Sequence, residues 1–296
     1  MNHATGPAVS VIMAACDNDK YIAQAIASVQ NQTLTSWELI IMDDVSNDDS
    51  YAVAKDIAAT DPRIMVHRMA RNEGAGAARD AAIRLAAGKF LAIFDADDIC
   101  EPTRLEEQVA FLSNHPDVVA VGTQTVQVDQ YGNQIGTKTF PTDPELLYRM
   151  MYTAIPIQLP TLMVNLARIP YDFTWFEGWR YSEDSLLFFK LSCFGKLANL
   201  SRFLVKYRYH AGSSSYRHAK RYFYKTWHAR KIARTLYAYR PRVSDRLVSV
   251  AQFVFVTCLP SACIPRVYRF VRTAMLAFSG SRPARLASGH ANDAFD

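Results

Sequence analysis

The chain has 296 residues, 50% of them hydrophobic, with 33 Lys and Arg against 28 Asp and Glu. That length and apolar content allow a substantial core and exclude a disordered chain. The charge is divided: residues 1–201 carry 15 Lys/Arg and 25 Asp/Glu, residues 202–296 carry 18 and 3, so the basic character belongs to the C-terminal part alone.

Val9 to Ala15 reads as a buried strand and Tyr21 to Gln30 as a helix with Ile22, Ile26 and Val29 on one face. A second apolar run, Glu38 to Met42, ends in Asp43-Asp44-Val45-Ser46-Asn47-Asp48-Asp49-Ser50, and Ile64 to His67 is a third strand candidate. Strand, helix and strand in units of roughly 30 residues argue for an α/β fold with a mostly parallel, doubly wound sheet flanked by helices. The run Gly74-Ala75-Gly76-Ala77-Ala78-Arg79 is superficially a dinucleotide fingerprint, but it follows the third strand instead of the first. It reads better as a loop feeding a helix that packs Ala78, Ala81, Ala82 and Leu85 on the sheet, with Arg79 either directed at a nucleotide or its phosphates or solvated.

The run Phe90 to Ile93 leads into Phe94-Asp95-Ala96-Asp97-Asp98. Positions i and i+2 of an extended backbone project to the same side, so Asp95 and Asp97 repel each other unless a cation lies between them. Oxygen ligands of this kind suit Mg2+ or Mn2+, and such an ion can hold a diphosphate. Ligands of parallel sheets bind beyond the carboxyl ends of the strands. Asp43-Asp44 and Asp95-Asp97-Asp98 therefore share one rim.

Val118 to Val128 is the next strand, with a hairpin turn at Tyr131 to Gly136. Trp175, Phe176, Gly178, Trp179 and Tyr181 follow, the aromatics serving either as core or as stacking surfaces. Glu183-Asp184 opens an amphipathic helix with Ser182 available as its N-cap.

The basic part begins with a helix near Arg217 to Tyr239 that sets Arg217, Lys220, Arg221, Lys225, His228 and Lys231 on one side and Tyr222, Thr226, Ala229, Ala233, Leu236 and Tyr237 on the other. Such a helix suits an anionic membrane surface. Leu247 to Pro265 is uncharged between Arg246 and Arg266, but Gln252, Thr257, Pro260 and two serines weigh against deep insertion. It reads as a monotopic or hairpin element or as a helix packed on the rest of the chain. Residues 279–296, rich in Ser, Ala and Gly, have the composition of a disordered tail. Tyr222, Tyr224 and Trp227 among basic residues invite a nucleic-acid reading, but no motif supports one and an acidic rim repels phosphate backbones. The five cysteines lack zinc or redox spacing, and no signal peptide precedes the first strand, which places the expected protein in the cytoplasm.

Together these segments resemble a family 2 glycosyltransferase of the GT-A, nucleotide-diphospho-sugar transferase fold. The resemblance is carried by Val9 to Met13, Tyr21 to Val29 with Gln32-Thr33, Glu38 to Asp44 with Ser46 and Asp48, and Asn72, Gly74, Ala78-Arg79-Asp80 and Gly88 ahead of the Asp-x-Asp stretch. Ser182-Glu183-Asp184 with Leu186 to Leu191, and Tyr207-Arg208-Tyr209-His210 with Ser213 and Ser215, extend it to roughly residue 215. It implies an inverting transferase in which Asp184 takes the acceptor hydroxyl proton. Asp44 would read the nucleobase, its alternative being a turn cap together with Asp43. Ala14 and Cys16 would line the base through backbone groups, because the polar or aromatic pair often found there is missing. Asp97 would be the metal ligand, Asp95 a ribose contact or second ligand, Asp98 a neighbouring ligand or sugar contact, and His210 a further ligand or a structural hydrogen-bonding group. The implied partners are a nucleoside-diphosphate sugar and a glycan or lipid-linked acceptor of bacterial surface polysaccharide, with the enzyme peripheral on the inner face of the cell membrane and no nucleic acid. The expected division is a catalytic domain over 1–215, a basic helical extension over 216–278 and the tail. A sugar-nucleotide-binding protein without turnover and a nucleotidyltransferase are the competing classes.

Overall fold

Apolar residues at nearly every position mark strands covered on both faces, and the computed structural model, which describes residues 6–176, 183–210 and 219–258, builds the molecule around them. Strands β1 (Val9–Ala15), β2 (Trp37–Asp43), β3 (Ile64–Arg68) and β4 (Phe90–Asp95) are parallel and ordered β3-β2-β1-β4. Helices α1 (Ile22–Gln30), α2 (Ser50–Ala58) and α3 (Ala75–Ile83) make the crossovers between them. β2 joins one edge of β1 and β4 the other, so the winding reverses at β1 and opens a crevice at the strand ends there.

Beyond β4 the sheet becomes mixed. The short β8 (Met163–Asn165) runs antiparallel to both β4 and β6 (Val118–Val128), and β6 pairs in parallel with the long β9 (Lys196–Arg208). β5 (Ile99–Cys100) adds to the outer edge of β9, and β7 (Gln134–Lys138) forms the hairpin with β6. Helices α4 (Arg104–Asn114), α5 (Pro144–Met150) and α6 (Glu183–Leu191) complete the body. Neither β8 nor β5 was expected, each being too short for an alternation to register.

Alternation along the strands sorts side chains into two cores. Val9, Val11 and Met13 join Ile22, Ile26 and Val29 of α1 and Leu105 and Leu112 of α4 on one face. Ile12, Ile40 and Ile93 join Ala78 and Ala82 of α3 and Leu187 and Phe188 of α6 on the other. Leu85, expected to pack with Ala78 and Ala82, is 44% exposed, because α3 ends at Ile83. Gly88 sits where a Cβ would come within 2.6 Å of the Ser10 amide nitrogen, so the entry to β4 tolerates no side chain.

The basic extension packs on this body as α7 (Ala219–Leu236) and α8 (Val243–Cys258). Ala229 and Ala233 are buried as expected, and Arg221, Lys225, His228 and Lys231 are exposed. Leu236, expected on the packing side, is 72% exposed at the helix end. Arg230 is buried instead, donating to Ser249, Gln252 and the Thr153 carbonyl. Of the polar residues that weighed against insertion, Ser249 and Gln252 turn toward the protein, Thr257 is exposed, and Pro260 and Ser261 lie outside the described residues. Among the described residues no helix is long and apolar enough to cross a membrane. Gly178, Trp179, Tyr181, Ser182, the Glu183 side chain, Ser213, Ser215, Arg217 and everything after Cys258 lie outside the described residues.

Candidate active site

Register brings the strand ends together: Ala15 of β1 lies opposite Asp43 of β2, and Ala14 opposite Asp95 of β4. The chain then turns sharply. Asp17 after β1 and Val45 after β2 have positive φ, 55° and 62°. A β-branched residue in that region is strained, and such strain concentrates at functional sites.

The paired acids of β2 divide their work. Asp43 accepts from the Ser46 amide and hydroxyl and meets Arg68 Nε at 3.2 Å, which makes it the turn cap. Asp44, 2% exposed, reaches across to the loop before α3, where Oδ1 accepts from the Glu73 amide at 2.8 Å and Oδ2 from the Gly74 amide at 2.7 Å. Gly74 has φ 93°, a conformation a side chain resists. Asn72 donates to the Asp44 carbonyl at 2.8 Å and to Cys16 Sγ at 3.4 Å, so the ends of β1 and β2 and this loop form one connected lip. Burial, then the charges of Asp17, Asp44 and Asp43, push the Cys16 thiol up to about 11.

At the end of β4 and in the turn after it, one oxygen each of Asp95, Asp97 and Asp98 can be taken within 4.8 Å of one another. Arg79, expected either at the nucleotide or in solvent, is 6% exposed and donates to Asp95 Oδ1 at 2.7 Å. Asp98 is 1% exposed; its Oδ1 accepts from the Arg208 amide at 2.8 Å, and its Oδ2 has no hydrogen-bond partner among the described residues. Burial, then the charges of Asp97 and Asp95, push its carboxyl well above the usual carboxylate range. Three clustered carboxylates with one buried oxygen lacking a partner form a donor set that suits a hard divalent cation. His210 Nε2 lies 2.9 Å from Asp97 Oδ2, with its ring against Tyr21, a position that suits either a further ligand or a structural hydrogen-bonding group.

Arg208 was given no role from sequence, yet it organises this turn. It is 3% exposed, and its side chain donates to the Asp97 carbonyl and Gln24 Oε1 at 2.8 Å each and to the carbonyls of Asp129 and Gln130. An arginine at the end of an alternating strand, two residues before His210, was the available signal. Its partners lie 78 to 184 residues away in the chain and left no local trace.

Asp184 stands half-buried in the first turn of α6. The segment 174–176, ahead of it in the chain, is fastened twice: the Phe176 amide donates to Asp80 Oδ1 at 3.1 Å, and Lys190 of α6 donates to the carbonyls of Thr174 and Trp175. Asp80 adjoins Arg79, so α3 reaches Asp95 of the acidic cluster with one residue and Phe176 with the next. Trp175 and Phe176 are buried, which makes both core residues.

The reversal of winding at β1 and the acids along the strand ends define a GT-A α/β fold. The profile of Glycosyl transferase family 2 matches residues 10–168, and the chain belongs to that family. A glycosyltransferase of Haemophilus influenzae, itself uncharacterized, is 30% identical over 220 residues, 71% of this chain and 68% of its own. EpsE of Bacillus subtilis, named as a glycosyltransferase, is 37% identical over 142 residues, 48% of this chain and 51% of its own, so the chain spans about half of that relative. Among solved structures, S. aureus TarS residues 1–349 in complex with UDP superposes with a TM-score of 0.60 at 22% identity, over 76% of this chain and 64% of that one. The mannosyltransferase PcManGT of Pyrobaculum calidifontis, in complex with GDP-Man and Mn2+, superposes with 0.54 at 16% identity, over 93% of this chain and 81% of that one.

Proposed function

We propose that the protein is a metal-dependent, inverting glycosyltransferase that moves a sugar from a nucleoside diphosphate to a glycan or lipid-linked acceptor in bacterial surface polysaccharide synthesis. The observation that carries this reading is the cluster of Asp95, Asp97 and Asp98 beside the reversal of winding. TarS with UDP and PcManGT with GDP-Man and Mn2+ lend support, since both pair this fold with a nucleotide or nucleotide sugar.

Asp97, Asp95 and Asp98 would hold Mg2+ or Mn2+, with His210 beside Asp97 as the further candidate. The chemistry such an ion supplies when bound is neutralisation of the charge gathering on the departing diphosphate. Arg208 keeps the Asp97-Asp98 turn in place, and Arg79 fixes the carboxylate of Asp95. The nucleobase would sit at the lip formed by Ala14, Cys16 and Asp44, where the chain turns sharply at Asp17 and Val45. Asp184 accepts the acceptor hydroxyl proton as that oxygen attacks opposite the leaving group, which inverts the anomeric carbon. Residues 1–215 form the catalytic domain, and 216–278 a basic extension that keeps the enzyme peripheral on the inner membrane face.

The test is turnover. Purified full-length protein with Mn2+ and a panel of nucleotide sugars should release nucleoside diphosphate. Pyrophosphate released from a nucleoside triphosphate would instead identify a nucleotidyltransferase, and binding without release a sugar-nucleotide-binding protein.

A further inference from the structure

The outer face of α8 carries Val243, Leu247, Val250, Val254 and Phe255, which are 74%, 67%, 56%, 56% and 45% exposed. The first four recur at spacings of four, three and four, which stacks them along one side of the helix. Single exposed aliphatic residues are ordinary, whereas a continuous apolar stripe marks a surface that meets something. The opposite side of α8 is committed to the protein, with Ser249 and Val256 buried and Ser249 and Gln252 accepting from Arg230.

Charge narrows the occupant. Between residues 219 and 258 there are nine Lys and Arg and one acid, Asp245. Arg240, Arg242 and Arg246 are exposed at the head of the stripe, and Lys231 and Arg234 are exposed on α7. A second copy docking face to face would set like charge against like, whereas anionic headgroups above an acyl layer match both the arginines and the stripe. Over its described residues, Val243–Cys258, the helix is too short and insufficiently apolar to span a bilayer, and its one-sided stripe suits a helix lying in the interface plane.

We propose that the outer face of α8, with Arg240, Arg242 and Arg246, docks on an anionic lipid bilayer. The proposal deepens, and rests on, the reading of the acceptor as lipid-linked. The geometry gives docking a purpose. Arg230 and Gln252 both donate to the Thr153 carbonyl, which fixes α7 and α8 to the body. The Ser185 hydroxyl, next to Asp184, lies 3.1 Å from that of Thr226 on α7. One connected unit therefore joins the bilayer face to the helix that carries Asp184.

Cosedimentation of the full chain with vesicles of phosphatidylcholine, with or without phosphatidylglycerol, tests this. Binding should require phosphatidylglycerol and weaken with salt. Leu247→Asp with Val254→Asp should weaken it about tenfold or more, since burying each of these side chains alone is worth about tenfold. Arg240→Glu and Arg246→Glu should each cost at least about fivefold. Because all four side chains point outward, the variants should keep the parent melting temperature. Absence of binding to anionic vesicles, or binding unchanged by the paired aspartates, overturns the proposal. So does a dimer in sedimentation velocity that the paired aspartates break, since a second copy would then cover the stripe. Release of nucleoside diphosphate is read separately: vesicle binding without turnover keeps the surface and removes the enzyme reading, and turnover without vesicle binding does the reverse.

Discussion

Asp44→Asn separates the two tasks that can fall to this carboxylate, reading a nucleobase and fastening the loop before α3. Each Asp44 oxygen accepts one backbone amide, from Glu73 at 2.8 Å and from Gly74 at 2.7 Å, and the side chain is 2% exposed. An asparagine keeps one acceptor oxygen and turns an NH2 group toward the other amide. One charge-assisted hydrogen bond is lost, its donor faces a second donor, and the remaining bond becomes neutral. A hydrogen bond to a charged group is worth about 1.5–3 kcal/mol and a stranded donor adds to that, so unfolding free energy should fall by about 2–4 kcal/mol. Urea unfolding followed by tryptophan fluorescence measures this. With a slope of about 3 kcal/mol/M the midpoint should drop by roughly 1 M at unchanged slope. Asp44→Asn protein with the parent midpoint but weakened nucleotide binding would refute the anchoring argument and leave base recognition as the sole task.

Asp184→Asn should reduce transfer by about 10²–10⁴-fold with nucleotide affinity retained, and transfer at the parent rate would remove Asp184 as the base. Asp97→Asn should weaken nucleotide binding in Mn2+ but hardly in EDTA, a contrast isothermal titration can read; equal affinity in both would reject the ligand role. Gly88→Ala should destabilise by about 1–3 kcal/mol, because its Cβ would press on the backbone of Ser10 and Val9 as well as on the Ser10 hydroxyl, and an unchanged melting temperature would show that β4 can yield. Hydrogen bonds from Arg63, and further from Gln30, hold the Asp61 carboxyl well below the usual carboxylate range. Its stabilisation is therefore present above the ordinary carboxylate pKa and is lost as the pH falls through the depressed folded value. Asp61→Asn should be less stable near neutrality, with the gap closing in acid; a gap independent of pH would contradict the linkage.

What could be read from the chain alone was local. The expected strand over Val118–Val128 and the first apolar strand coincide with β6 and β1, because dense apolar runs bounded by turn residues declare themselves within about ten positions. The acidic strand ends were visible for the same reason: Asp43-Asp44 and Asp95-Asp97-Asp98 follow directly on such runs. Arg230 and Leu236 show the limit. Helical periodicity assigned the packing side of α7 correctly at Ala229 and Ala233, but burial of a cation depends on Thr153, Ser249 and Gln252, which arrive from other elements.

Asp44 could be placed by sequence at a strand end but not given its partners, since Glu73 and Gly74 enter from a later loop. Arg208 is the extreme case, its amide bonded to Asp98 across 110 residues and its guanidinium joining the metal-candidate turn, α1 and the β6–β7 hairpin. Periodicity and turn chemistry act between neighbours in the chain. Which buried charge finds which acceptor is decided only when folding brings distant segments within hydrogen-bonding reach, where an unmet donor or acceptor is expensive enough to select one arrangement.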